Sequence, residues 1–114
     1  MENTNFIKRD TINPIKMTMN VKVHILRGPL SKIVGKKEVT LQTENHVRVI
    51  DVLNLLSERY GKPFRKFVFN PKTSEINSYL ILALNGVHIG CMNGIETIIE
   101  DGSELLILSA TGGG

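Results

Sequence analysis

The sequence predicts a single α+β domain, with one main helix packed on one face of a mixed five-stranded sheet. Three observations carry this expectation. Two early segments alternate apolar and polar residues, which is the period of a half-buried strand. A middle segment repeats its apolar residues at helical spacing. The last ordered segment is apolar on both alternating faces, which places its strand centrally in the sheet.

The elements follow in order. Residues 1–19, "MENTNFIKRDTINPIKMTM", show no sustained period and contain Pro14, so they are expected to form a flexible extension. Met17 and Met19 stand just before the first clear strand and are alternative starts to Met1. In "VKVHILR", Val21, Val23 and Ile25 share one face, with Lys22 and His24 on the other. "GPLSKIVGKK" reads as a loop punctuated by Gly28-Pro29. "EVTLQ" alternates again, with Val39 and Leu41 inward, so the two strands form a hairpin.

"VIDVLNLLSERYG" changes period. Val49, Val52, Leu53, Leu56 and Tyr60 fall on one helical face. Asp51 in the first turn suits the positive end of the helix dipole, and Arg59 suits the last turn. Gly61 is expected as a left-handed C′ residue, and Pro63 blocks continuation. At the other end Arg48 or Val47 stands where a Ser, Thr, Asp or Asn cap is usual.

"PFRKFVFNPKTSEINS" is read as an inserted connection of limited order, with one short helical turn at Phe64, Phe67 and Val68. "YLILALNG" is a buried strand closed by the tight-turn pair Asn85-Gly86. "VHIG" is its short partner, "CMNG" a loop and "IETII" a brief apolar piece. Asp101-Gly102 turns the chain into a final strand, Glu104 to Leu108, parallel to the first.

Composition excludes several function classes. Hydrophobic residues make up 41% and charged residues 22%, ordinary values for a globular domain, and the net charge is +3. Basic residues are dispersed, and there are only four Phe, two Tyr and no Trp, so no nucleic-acid surface is expected. The longest strictly apolar run, Tyr79 to Leu84, is far short of a membrane span. The first twenty residues lack the apolar core of a signal peptide, so a cytoplasmic protein with no membrane contact is expected.

Catalytic and metal-binding patterns are absent. His24, His46 and His88 share no ligand spacing, and Cys91 alone forms neither an intramolecular disulfide nor a multi-cysteine site. Cys91 has no partner base in the sequence and reads as a small loop residue. Lys62, Arg65 and Lys66 form a basic cluster, read first as solvated surface and second as a partner contact.

The chain ends "SATGGG". A glycine run loses much freedom on ordering and favours an unpacked segment. It can also thread a channel that any Cβ would block. The carbonyl carbon of a terminal glycine is sterically open to a nucleophile once a separate enzyme has activated it. No catalytic residue of the domain itself is then required.

The pieces "VKVHIL", "VIDVLNLLSERYG", "LALNG" and "EDGSELLIL", followed by Gly-Gly, resemble the β-grasp fold of ubiquitin-like proteins. More narrowly they resemble the MoaD and ThiS sulfur carriers. The chain length and the connection from Phe69 to Asn77 are closest to the MoaD branch. The resemblance covers about residues 20–114 and implies a β-grasp domain at 20–108 with a flexible tail at 109–114; the extension at 1–19 is not typical of the family.

It also implies a mechanism. A MoeB/ThiF-like adenylating enzyme uses ATP to activate Gly114, and sulfur converts the adenylate to a thiocarboxylate. Gly113, Gly112, Thr111 and Ala110 would enter the partner. The acceptor would be a MoaE-like large subunit, with this chain as the non-catalytic small subunit of molybdopterin synthase and no cofactor of its own. The segment Ser109-Ala110-Thr111 lacks the prolines common in MoaD tails, and Gly112 is a third glycine. Relatives that modify protein lysines, or that supply sulfur for tRNA thiolation, are the alternatives. A β-grasp binding module with no carrier role is the alternative of another class.

Overall fold

A computed structural model describes residues 18–26 and 28–109. Strand β1, Thr18–Ile25, places Met19, Val21, Val23 and Ile25 in the core. It pairs antiparallel with β2, Glu38–Glu44, in an unbroken register from Thr18↔Glu44 to His24↔Glu38. The strand opens two residues inside the segment expected as an extension, because Met19 continues the inward alternation and is only 2% exposed.

The connection between β1 and β2 is not the expected loop. Pro29–Val34 forms a short helix, α1. Proline at the start of a helix loses no intrahelical bond, because the first N–H groups have no partner there. Leu30 and Val34, one turn apart, bury their side chains. Gly35 closes the helix in the left-handed conformation, its N–H donating to Ser31 O at 2.8 Å. The Gly-Pro pair marked a helix start rather than a turn.

The main helix α2 spans Val49–Tyr60, as the periodicity predicts, and buries Val49, Val52, Leu53 and Leu56. Arg48 is its N-cap. The Asp51 carboxylate accepts from the Arg48 backbone N–H at 2.8 Å, so the first turn is closed from its third position. Its N-terminus is tied across the fold, with Val49 N–H donating to Thr97 O and Ile99 N–H to Val47 O.

Gly61 has positive φ (82°), but its ψ of −162° is not the expected left-handed C′ geometry. The residue serves two helices at once: it ends α2 and is the N-cap of α3, Lys62–Val68, and an N-cap needs extended ψ. Pro63 therefore stops one helix and begins the next. The segment expected to have limited order is largely structured. Phe64, Val68 and Phe69 are buried, Phe69 bridges to Ile76, and Asn77 N–H donates to Val68 O.

β3, Leu80–Leu84, turns through Asn85-Gly86 into β4, Val87–His88. Both turn residues have positive φ, 51° and 84°, as a type I′ hairpin requires. Two short 3₁₀ turns, Ile89–Cys91 and Gly94–Glu96, precede β5, Glu104–Ser109. The sheet order is β2-β1-β5-β3-β4. β5 is central and parallel to β1, as expected, and antiparallel to β3.

Candidate functional site at the end of the central strand

The residues singled out for chemistry, Ala110, Thr111, Gly112, Gly113 and Gly114, lie outside the described residues. The structure places the point from which they continue. β1 and β5 are parallel, so their C-terminal ends share one end of the sheet, where the antiparallel β3 begins. Leu26 N–H donates to Ile107 O at 3.2 Å, prolonging the parallel ladder past β1. On the other side Ser109 lies opposite Leu80, the first residue of β3. The chain therefore leaves β5 flanked by Leu26 and the start of β3.

That start is held firmly. Tyr79 packs edge-on against Phe67, ring centroids 5.4 Å apart, and its hydroxyl donates to Phe67 O at 2.9 Å. The Asn77 amide donates to the same carbonyl at 2.8 Å. Helix α3, expected as a single turn, thus braces the strand beside the exit. An aromatic contact of this kind contributes about 1 kcal/mol.

The far end of β5 is fixed by Asn85. Its backbone N–H donates to Glu104 O at 2.8 Å, and its side-chain oxygen accepts from Glu104 N–H at 2.9 Å. Asn85 is more than a turn residue: it clamps the register of the strand that leads to the exit. The sequence signal was present, since asparagine tolerates positive φ and also carries an amide that can pair with a backbone.

The two faces of the sheet differ. Helix α2 covers the face carrying Val21, Val23, Leu82, Leu105 and Ile107, all buried. On the other face Ile81 lies opposite Leu108 and Ala83 opposite Leu106, all half-buried, and Leu26 is 44% exposed. These residues form an apolar strip that runs along β5 toward Ser109. The outward leucines read as a sign of a central strand; among the described residues they also form surface, because there only one face of the sheet is covered by helices.

Polar groups rim the strip. His24 Nε2 lies 3.0 Å from Glu104 Oε1, and its Nδ1 lies 3.6 Å from Glu38 Oε1. Lys22 Nζ stands 3.9 Å from Glu38. Pairs this exposed contribute less than about 1 kcal/mol each. Away from the strip, at the start of α2, Arg48 is held between Asp51 and Glu96. Hydrogen bonds from the Arg48 backbone and guanidinium pull the Asp51 carboxyl below the usual carboxylate range, and the two carboxylates raise Arg48.

The other candidates do not assemble into a site. His88 accepts from Gly90 N–H at 2.8 Å, which fixes a local turn, and Cys91 is exposed beside it. No group of three or more His, Cys, Asp or Glu able to hold a metal occurs among the described residues. Among those residues, no helix is long and apolar enough to cross a membrane. Lys62, Arg65 and Lys66 line a hollow over Phe69 and Pro71, with the Arg65 guanidinium 5.1 Å from the Phe69 ring centre.

Comparison with known proteins agrees with this arrangement. The model of the ThiS family matches residues 25–114. The fold superposes on the HVO 2177 protein of Haloferax volcanii with a TM-score of 0.74 at 20% identity, over 91% of this chain and 94% of that one. It superposes on small archaeal modifier protein 1 of Methanosarcina acetivorans with a TM-score of 0.70 at 29% identity, over 86% and 99%. A Pyrococcus furiosus protein described as a molybdopterin converting factor, subunit 1, gives a TM-score of 0.63 at 18% identity, over 80% and 97%. No curated protein sequence matches. The architecture is that of the β-grasp, ubiquitin-like fold.

Proposed function

Because the chain belongs to the ThiS family, ubiquitin-like sulfur carriers that act with partner enzymes, we propose that its C-terminal Gly114 carries the sulfur. The family match, which runs through Gly114 itself, is the observation that carries this reading. The Gly114 carboxylate oxygen attacks the α-phosphorus of ATP in an adenylating enzyme of the MoeB/ThiF kind, and pyrophosphate leaves. A sulfur nucleophile from a persulfide donor adds to the carbonyl carbon and AMP leaves. A thiol then cleaves the S–S bond, freeing the thiocarboxylate and taking up the donor sulfur as a disulfide.

The domain's own contribution is placement. Asn85 and the β1 ladder hold β5 in register, and the strip of Leu106, Leu108 and Ile81 offers a partner an apolar surface leading to the exit. Covering what remains exposed of one half-buried leucine is worth about 1 kcal/mol, so several such contacts together support a transient complex. Gly112 and Gly113 have no Cβ to block a narrow channel, and Ala110 and Thr111 join them to Ser109 in the sequence.

The acceptor we assign is a MoaE-like subunit completing molybdopterin, in line with the Pyrococcus furiosus neighbour. A second reading, attachment of Gly114 to a lysine amine with loss of AMP, is favoured by the 29% identity to the archaeal modifier. ATP–pyrophosphate exchange by a cognate adenylating enzyme tests the shared first step. The intact chain should support exchange, and a chain lacking Gly113 and Gly114 should not. Equal exchange by both would refute activation at the C-terminus.

A further inference from the structure

The two edges of the sheet are unlike. β4 is two residues long, a short edge of the kind that discourages pairing with another chain. β2 is seven residues long, pairs with β1 without a bulge, and carries no proline or lysine in Glu38–Glu44. Ile25 N–H donates to Lys37 O at 2.8 Å, so the bonded pairs fall on alternate residues from there. Val39, Leu41 and Thr43 therefore turn their backbone groups toward β1, while Glu38, Thr40, Gln42 and Glu44 turn theirs outward. Among the described residues, no backbone group of another element meets this outer side.

A groove runs beside this edge, between β2 and α2. Two adjoining hollows of about 370 and 360 Å³ share Gln42, Leu55 and Glu58. Leu55 is 38% exposed, and Val47 continues the apolar floor. Glu44 and Glu58 line the same groove and have no ion pair among the described residues, whereas Asp51 is engaged by Arg48. Arg59 lines the second hollow as its cation, so Glu44 and Glu58 leave the groove with a small acidic excess on a chain of net charge +3.

We infer that the β2 edge and this groove bind an extended segment of a partner protein. Its backbone adds a strand to β2, an apolar side chain covers Leu55, and flanking Lys or Arg side chains meet Glu44 and Glu58. Unpaired edge groups supply affinity, and the alternation of side chains supplies selectivity. β2 lies two strands from β5 in the sheet, so this contact leaves the strip along β5 open. The inference does not depend on the carrier reading.

A fluorescein-labelled peptide of alternating lysine and valine, titrated into the full-length ¹⁵N-labelled chain, tests it. Saturable binding is expected, with amide shifts concentrated in Glu38–Glu44 and around Leu55. The same peptide N-methylated on alternate amides should bind at least tenfold more weakly, a control that leaves the fold untouched. A Glu44→Lys, Glu58→Lys variant should lose a similar factor while keeping its thermal midpoint. Equal binding of the methylated peptide, shifts centred on β5, or no saturation would overturn the proposal. Sedimentation showing a dimer that peptide does not dissociate would overturn it in favour of a second copy.

Discussion

Strand β5 places four large apolar residues in a row, and the two faces use them differently. Leu105 and Ile107 point toward α2 and are at most 1% exposed; Leu106 and Leu108 point the other way and remain half-buried. The residue types are alike, the backbone is shared, and only the covering layer differs. Hydrophobicity at the first pair is spent within the molecule on stability. At the second pair it stays at the surface, where the proposed function would seat a partner. A strand apolar on both faces therefore signals a central position, and also a contact surface wherever one face lacks helices.

The sharpest way to break this contrast is to truncate both kinds of residue. Ile107→Ala should destabilise the fold by about 3 kcal/mol, the cost of a cavity in a closed core. Urea denaturation would show this as a lower midpoint at unchanged slope. A loss below about 1 kcal/mol would mean that the helix-covered face is not close-packed.

Leu106→Glu on the open face should change stability by less than about 1 kcal/mol, because its side chain is already partly in water. It should instead weaken the partner contact by about 2 kcal/mol or more, roughly thirtyfold in the apparent affinity of the adenylating enzyme. A variant that unfolds readily yet is activated normally would reverse the roles assigned to the two faces.

Asp51 refines the account away from the strip. Its folded carboxyl titrates lower than in the unfolded chain, so its contribution is present above about pH 4 and fades as pH falls through the lower folded value. Asp51→Ala should cost at most about 1 kcal/mol near neutrality, since the carboxylate is more than a third exposed and solvent screens it. The difference between variant and parent should shrink in acid. A difference constant from neutral pH to pH 2 would show that the helix start is held by Thr97 and Val47 alone.

The smallest effect is expected at the rim. Glu104→Gln removes the carboxylate facing His24 and should alter stability by less than about 0.5 kcal/mol. Thermal denaturation at low and high salt would check this, with a larger loss at low salt counting against a solvated rim.

The sequence shows the main helix and its C-terminal end, because its five apolar positions repeat at one spacing and Gly61 follows, but it leaves the cap open between Val47 and Arg48, where no side chain of the usual capping kind stands. It also shows the central, parallel position of the last strand. Helix α1 is harder to see: Gly28-Pro29 is equally a turn or a helix start, and only Leu30 and Val34, one turn apart, separate the two. Helix α3 is masked by Pro63 and by the double duty of Gly61. The strip beside the exit requires knowing which strands neighbour β5, and the β2 edge requires knowing which strand has no neighbour. Both are properties of topology rather than of any local pattern. Gly112, Gly113 and Gly114 lie outside the described residues, and the structure describes the strand that leads toward them.

The central claim concerns one carbonyl carbon. The full-length chain, a cognate adenylating enzyme, ATP and a persulfide donor are combined, and the product is analysed by intact and fragment mass spectrometry. The expected product has one oxygen replaced by sulfur, with the change confined to Gly114. Sulfur located on Cys91, or an unaltered Gly114 after the adenylating enzyme has modified its own cognate carrier, would contradict it.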